Sequence, residues 1–231
     1  MVNVAQSTAR AELDVRESSR AEDARSAFLR ARLSSVLAIL PLGVWTVVHL
    51  WNNLAAFEGA DAWQVAVTEY PHPVARAITA IVVLLPLAIH VAWGIGRMAT
   101  SRPNNLRYRG YSNLKYALQR VSAVGVLLFL GAHIWLAMLR PRLFEMHAEA
   151  FDDIAHEMHY HLPTLLTYIL GTLGVSYHLA NGAQTFAMSW GLVSSRRALR
   201  RLEGATIVLF ALLLLMSWGA VYALWAAGAA S

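Results

Sequence analysis

The sequence predicts an all-α integral membrane protein, a bundle of five transmembrane helices. Hydrophobic residues make up 57% of the 231 residues and charged residues only 14%, which is too apolar for an ordinary water-soluble domain. The apolar residues are concentrated in five runs, each near the roughly 20 residues that an α-helix needs to cross a bilayer. These runs are 34–56, 75–98, 117–139, 163–188 and 205–227.

The segment before the first run is polar. Residues 1–32 mix acidic and basic side chains and include six arginines. They lack the short basic start followed at once by an apolar stretch that marks a secretory signal. We therefore expect residues 1–32 to be a cytoplasmic tail, helical or partly disordered, and residues 33–231 to form the transmembrane domain. A solvated tail is favoured over an arm that docks to a soluble partner.

The five runs differ in composition. The first four combine a histidine with Gly, Ser, Thr or Asn, whereas the fifth contains neither a charged residue nor a histidine. Small residues let helix backbones approach closely, so we expect the first four helices to pack around a common centre. The fifth helix is expected to close the bundle against lipid.

Lysine and arginine are distributed unequally between the two sides of the predicted bundle. With the N-terminus in the cytoplasm, 16 of the 19 basic residues lie on the inner side, and only Arg76, Arg140 and Arg142 lie on the outer side. The positive-inside rule therefore predicts a cytoplasmic N-terminus and an outer C-terminus. The net charge of +5 is explained by this topology, and no nucleic-acid partner is expected.

Each of the first four runs carries one histidine inside an apolar stretch, where an unpaired imidazole is costly. The four lie 41, 43 and 45 residues apart and are His49, His90, His133 and His178. Neighbouring helices run in opposite directions. At ~1.5 Å per residue, His49 and His133 lie about 10–12 Å below the outer surface, and His90 and His178 about 10–15 Å from the inner surface.

Two histidine pairs at two depths are the arrangement that two bis-histidine haems b require. We expect His49 and His133 to be the axial iron ligands of an outer haem, and His90 and His178 those of an inner haem. Because both axial positions are taken, electron transfer is the expected role. The chain has no cysteine, so it cannot hold a thiolate-ligated iron–sulfur cluster. The alternative is a haem-free transporter or scaffold whose histidines pack or relay protons.

The first four helices would then surround both haems, and glycines are candidates for contact between the flat macrocycles and the backbone. These are Gly43, Gly94, Gly125, Gly131, Gly174 and Gly182.

The motifs around these histidines, in order and spacing, resemble the dihaem cytochrome b anchor of succinate dehydrogenases and fumarate reductases, the single-chain, five-span type. The resemblance covers most of residues 32–200. It is carried by Arg32-Leu-Ser-Ser35, Pro41-Leu-Gly43, His49-Leu-Trp-Asn52, Leu85-Pro86-Leu87 before His90, Tyr108-Arg-Gly-Tyr111, Gln119-Arg120-Val-Ser122, Tyr177-His178-Leu-Ala-Asn181-Gly182 and Ser189-Trp190-Gly191.

This resemblance implies a role and partners. A flavoprotein subunit and an iron–sulfur subunit would dock on the cytoplasmic face of a bacterial inner membrane, and the dicarboxylate chemistry would lie there, with no catalytic residue for it in this chain. The chain would pass electrons between iron–sulfur clusters and a quinone, expected to be menaquinone. The alternative within the same class is the cytochrome b anchor of a hydrogenase or formate dehydrogenase, which usually has four spans.

One position departs from part of that family. Some fumarate reductases of this type carry a glutamate two residues before the span-four ligand and use it for transmembrane proton transfer. Here the position is Ser176, so no such proton path through this residue is expected.

A quinone site needs proton-accepting groups at the membrane interface near a haem. The first outer connection offers Glu58, Asp61, Glu69 and His72. The family resemblance favours an acidic residue just before span two, so we predict that Glu69 binds quinone. An ordinary solvated loop carboxylate is the alternative.

The third connection is rich in histidine and acid between residues 145 and 161. Its HEMHYH run places His156 and His159 three residues apart, unlike the zinc-protease pattern of two histidines four apart. A short outer amphipathic helix is therefore expected. The alternative is proton handling beside a quinol site, because histidine exchanges protons near neutral pH.

Overall fold

The computed structural model describes residues 2–69, 74, 77, 79–100 and 110–229, with only the backbone for residues 2–15. All regular structure in these ranges is helical, which confirms the predicted all-α class. Some residues used above lie outside the described ranges, namely His72, Arg76, Arg102, Arg107, Tyr108 and Arg109.

The first half of the chain forms two long helical stretches joined through a short helix. Helix α1 runs without a break through residue 32, where the sequence predicts the tail to end. In order, the elements are α1 (Val2–Leu37), a π-helical segment (Ala38–Gly43), α2 (Val44–Asn53), a 3₁₀ turn (Leu54–Phe57), α3 (Ala60–Val67), a second π-helical segment (Ala80–Leu84) and α4 (Leu85–Thr100).

The second half contains one more long stretch, a short helix and two long helices. Its elements are α5 (Tyr111–Ile134), two π-helical segments (Trp135–Leu139 and Pro141–Glu145), α6 (Phe151–Tyr160), α7 (Leu162–Ser189) and α8 (Arg196–Ala227).

Proline accounts for the position of the π-helical segments. Proline has no backbone N–H and cannot complete the regular α-helical hydrogen bond to the residue four before it. Pro41 lies inside the first segment, Pro86 follows the second, and Pro141 begins the last. Wider turns of this kind are common near functional sites. Here they lie close to three of the four histidines.

Four helical stretches are long and apolar enough to cross a membrane: Arg16–Phe57, Ala80–Thr100, Tyr111–Glu145 and Arg196–Ala227. They coincide with the first, second, third and fifth predicted runs. The fourth predicted run is helix α7, whose 28 residues span about 42 Å. It is more polar than the others, because its buried face includes Thr172, Ser176 and Asn181.

Helix α7 lies at the centre of the bundle. It packs against α5, α6, α8 and the π-helical segment Ala38–Gly43, so its polar side chains are covered by neighbouring helices. Helix α8 packs on α7. Leu213 and Ser217 of α8 are buried, while Val208 and Leu215 on the same helix are exposed. One face of α8 is therefore buried and another is exposed, and its position against lipid stays a prediction.

The predicted amphipathic helix of the third connection is present as α6. Its buried residues are Phe151, Ile154, Ala155 and Met158, which follow the i, i+3, i+4, i+7 spacing of one helix face. This face joins Trp63 of α3 in the main hydrophobic core. Each large side chain buried here contributes about 1.5–3 kcal/mol, and together they hold α6 across the ends of α7 and α8.

Candidate functional site

The four histidines of the predicted apolar runs form two ring pairs. His49 of α2 and His133 of α5 have ring centroids 5.8 Å apart, with planes inclined by 66°. His90 of α4 and His178 of α7 have centroids 6.3 Å apart, with planes inclined by 74°. The structure therefore brings together the same pairs that were expected from depth in the membrane.

The two pairs lie at different levels along the bundle. The Tyr168 hydroxyl is 3.1 Å from His133 Nδ1, so Tyr168 marks the level of the first pair on α7. His178 is ten residues further along the same helix, or about 15 Å. We call the two regions the His49 end and the His90 end of the bundle.

At the His49 end, aromatic side chains hold both imidazoles. The ring of His49 stacks on Trp45 with centroids 4.6 Å apart and planes 10° from parallel. The ring of His133 stacks on Phe129 at 5.5 Å and 20°, while its Nδ1 faces the Tyr168 hydroxyl. These contacts leave Nε2 of His133 free of a described hydrogen bond.

At the His90 end, hydroxyl groups face the Nδ1 atoms. Ser34 Oγ lies 3.4 Å from His90 Nδ1, and Ser122 Oγ lies 3.4 Å from His178 Nδ1. Ser122 donates its own proton to the Gln119 carbonyl at 3.0 Å, so its oxygen is available to accept from the His178 Nδ1–H. The Gln119 amide nitrogen is also 3.2 Å from His178 Nδ1.

These surroundings fit iron held by two imidazoles. Histidine ligands bind a metal through one ring nitrogen while the other donates to a nearby acceptor, and three of the four Nδ1 atoms face a hydroxyl oxygen. A metal–imidazole bond is about 2 Å long, so two rings on opposite sides of one ion have centroids about 6 Å apart. The observed 5.8 and 6.3 Å match this spacing.

The candidate macrocycle glycines divide into two groups. A Cβ at Gly43 would lie 3.1 Å from Leu179 Cδ1, one at Gly174 would lie 3.6 Å from Val126 Cγ2, and one at Gly182 would lie 3.8 Å from Gln119 Nε2. These three glycines therefore face side chains of neighbouring helices. A Cβ at Gly94, Gly125 or Gly131 would meet no described atom within 4 Å. Only the second group leaves room beside the backbone for a flat ligand.

Polar contacts tie the helices together at the His90 end. Arg32 donates to the Ser189 carbonyl, and the Trp190 indole N–H donates to Ser35 Oγ at 3.0 Å. These bonds join the start of the first span to the end of α7. Lys115 forms an ion pair with Glu203 at 2.7 Å, which joins α5 to α8.

A cavity of about 180 Å³ opens at the His49 end. Its lining includes both imidazoles of the pair, and its polar lining side chains are Thr68, Arg142, Glu149 and Tyr168, with Asn53 beside them. Of the predicted quinone residues, Glu58, Asp61 and Glu69 are exposed and do not line the cavity. Glu69 directly follows Thr68, so it lies next to the cavity in sequence.

The acidic residue that lines the cavity is the partly buried Glu149. It belongs to the histidine- and acid-rich third connection, for which proton handling beside a quinol site was the alternative prediction, but the sequence did not single it out. Burial raises the pKa of its carboxyl to about 8, against a smaller opposite effect of the Arg142 guanidinium. The whole connection is rich in acidic residues and histidines, and no local pattern separates Glu149 from the neighbouring carboxylates.

The histidines of the HEMHYH run make separate contacts rather than sharing a ligand site. His156 packs on Tyr160, and His159 Nδ1 lies 2.9 Å from the Trp225 carbonyl. Nearby, Arg140 donates to Glu157 at 2.9 Å and lowers the pKa of that carboxyl. This part of the connection is built from ion pairs and packing.

Known proteins with similar sequences agree with the architecture. The sequence profile described as "Succinate dehydrogenase/Fumarate reductase transmembrane subunit" matches residues 98–218. The succinate dehydrogenase cytochrome b558 subunit of Bacillus subtilis (strain 168) is 30% identical over 199 residues, which cover 85% of this chain and 96% of that protein. This chain therefore belongs to the transmembrane subunit family of succinate dehydrogenases and fumarate reductases, a family of multi-pass membrane proteins.

Proposed function

We propose that this chain is the cytochrome b anchor of a bacterial succinate dehydrogenase, and that it carries electrons through two haems between an iron–sulfur subunit and membrane quinone. The observation that carries the proposal is the presence of two imidazole pairs about 15 Å apart along α7. Family membership supports it, and the Bacillus subtilis relative is itself named a cytochrome b558 subunit.

In this proposal each imidazole pair holds one haem b. His49 and His133 would hold the outer haem, and His90 and His178 would hold the inner haem. When bound, each haem would serve as a one-electron carrier. The chain's own contribution is to orient the imidazoles: Tyr168 accepts from His133 Nδ1–H, and Ser34 accepts from His90 Nδ1–H.

The proposed topology places the His90 end towards the cytoplasm. Residues 1–32 then form a cytoplasmic segment, and residues 33–231 cross the membrane five times, with α7 as the fourth crossing and the C-terminus outside. The flavoprotein and iron–sulfur subunits dock on the cytoplasmic face, where the basic residues are concentrated. The dicarboxylate reaction takes place in those subunits.

The quinone, which we propose to be menaquinone, reacts at the His49 end, where the cavity adjoins an imidazole pair. Glu69 lies at the edge of this region and is proposed to interact with the quinone headgroup from the solvent side. Proton transfer across the membrane through position 176 is not part of the proposal. Ser176 is fully buried, and its hydroxyl donates to the Thr172 carbonyl at 2.8 Å.

The purified three-subunit complex tests this proposal. Succinate should reduce low-spin b-type haem bands in the reduced-minus-oxidised spectrum, and a short-chain quinone should reoxidise them. Hydrogen and formate should reduce neither haem. A complex without low-spin b-type bands would contradict the proposal, and so would reduction by hydrogen or formate in place of succinate.

A further inference from the structure

We infer that Glu149 is the residue that exchanges a proton with the quinone at the His49 end. This inference rests on the proposed function and deepens it by naming a catalytic group in the third connection. It differs from the expectation that Glu69, in the first connection, is the acidic residue of the site.

Glu149 lies closer to the imidazole pair than the other candidate carboxylates do. Glu149 lines the cavity together with His49 and His133, whereas Glu69 is exposed and is not part of the lining. A proton donor must come within hydrogen-bond reach of the reacting oxygen, directly or through one water. Among the carboxylates of the described residues, Glu149 is the one that lines the space beside the imidazole pair.

The carboxyl group of Glu149 is available to bind a ligand. No hydrogen bond to this carboxyl is formed within the described ranges, although it lies partly buried. By contrast, Glu157 is held by Arg140 at 2.9 Å and by Thr164 at 3.3 Å. Glu149 can therefore bind a ligand oxygen without first giving up a protein partner.

A side chain of α3 holds the backbone at Glu149 in place. The Gln64 side chain donates through Nε2 to the Glu149 carbonyl at 3.0 Å. It also accepts through Oε1 from the Phe151 N–H, at the start of α6, at 3.2 Å. One amide thus binds the connection on both sides of residue 150, and Gln64 is a positioning residue for Glu149.

The charged and titratable groups that line the cavity with Glu149 come from several helices. Arg142 lies in the same connection, His49 belongs to α2, His133 to α5 and Tyr168 to α7. The Glu157 carboxylate of α6 interacts electrostatically with the Tyr168 hydroxyl. Burial is the larger effect and raises the pKa of Glu149 to about 8, so the carboxyl is mostly protonated at neutral pH. This pKa lies close to the value that suits a general acid or base.

The proposed step balances in protons and electrons. Reduction of one quinone to quinol takes up two electrons and two protons, and the two electrons come from succinate through the partner subunits. The O–H bond of the Glu149 carboxyl breaks as an O–H bond to one quinone oxygen forms, and the other quinone oxygen takes its proton from solvent. The resulting carboxylate, stabilised by Arg142, regains a proton from water at the cavity mouth. Quinol oxidation runs the same transfer in reverse.

Glu149→Gln in the intact complex tests the inference, because the amide keeps the size and neutrality of the protonated acid but cannot release a proton. Quinone reduction should fall by about 100-fold or more, while both haem spectra and the succinate–dye reaction stay unchanged. In the wild type, quinone reduction should decline as the pH rises through about 8, and this decline should be absent from the variant's residual activity.

Asp152→Asn provides the matched control, since Asp152 is an exposed carboxylate three residues away and should change neither rate nor pH profile. Redox-difference infrared spectra give a second readout, in which a protonated carboxyl band of the wild type should be missing from Glu149→Gln. If this variant does not assemble, Glu149→Asp should retain the decline at a displaced pH.

The outcomes are distinct. Wild-type turnover and pH dependence in Glu149→Gln, with both haems present, would overturn the inference and leave the proposed function standing. An undisplaced decline in Glu149→Asp would also overturn it. A wild-type complex without haem bands would overturn the proposed function and this inference together.

Discussion

Tyr168→Phe removes one hydrogen bond from the proposed outer haem ligand and should raise the potential of that haem alone. In the structure the Tyr168 hydroxyl faces His133 Nδ1 at 3.1 Å. Donation from Nδ1–H increases the basicity of the imidazole, which favours oxidised iron. Phenylalanine keeps the edge-to-face contact with Phe129, whose ring centroid is 5.4 Å away, so the loss is confined to the hydroxyl.

The size of the shift follows from the energy of one hydrogen bond. A net contribution of about 0.5–1.5 kcal/mol, acting on a one-electron couple for which 59 mV corresponds to ~1.4 kcal/mol, gives about 20–60 mV. Optical potentiometric titration of the complex would resolve the two haems separately.

The inner haem gives an internal reference for this experiment, and Tyr177→Phe provides a matched control, because the Tyr177 hydroxyl faces the Lys115 carbonyl instead. An outer-haem potential that stays constant or falls in Tyr168→Phe would refute the assignment of Tyr168. Equal shifts of both haems would refute it as well.

Two further variants test the packing around the site. Gly171→Ala places a Cβ against the ring of Phe129, closer than real Cβ atoms approach. This variant should destabilise the complex by about 1–3 kcal/mol in thermal unfolding. The added Cβ of Gly204→Ala would meet no described atom within 4 Å, so this control should be neutral or stabilise the complex by up to ~1 kcal/mol. Equal effects of the two substitutions would contradict the close contact at Gly171. In the wild type, the hydrogen bond from Arg140 lowers the pKa of the Glu157 carboxyl. The protection of α6 amides against hydrogen exchange should therefore be lost as the pH falls through that lowered pKa. Arg140→Met removes this bond. The variant should lose up to ~1 kcal/mol of this protection already at neutral pH, as measured by hydrogen exchange. Protection equal to that of the wild type would argue against a contribution from the ion pair.

The pairing of the histidines was predictable because it depends on chain direction. Neighbouring spans run in opposite directions, so distance from a span end converts directly into depth. That argument placed His49 with His133 and His90 with His178 without knowledge of how the helices pack. The all-α class followed from composition and from five apolar runs.

Other features depend on tertiary contacts that no local pattern encodes. The position of Glu149 beside the first histidine pair requires the third connection to fold back onto α3, through a bond between residues 85 apart in sequence. The sequence also leaves open which of the long helices lies at the bundle centre, a position that α7 occupies. The π-helical segments do have a local signal, because Pro41, Pro86 and Pro141 lie in or beside them. The prediction of the spans used only the lengths of the apolar runs and did not use these prolines.

The most direct test of the central claim is haem content in wild type and in single histidine variants, measured as haem per chain together with reduced-minus-oxidised spectra. The account predicts two haems b per wild-type chain. His90→Ala and His178→Ala should each lack the same inner haem, and His49→Ala and His133→Ala should each lack the outer one. Loss of one common haem in all four variants would contradict the two-site account.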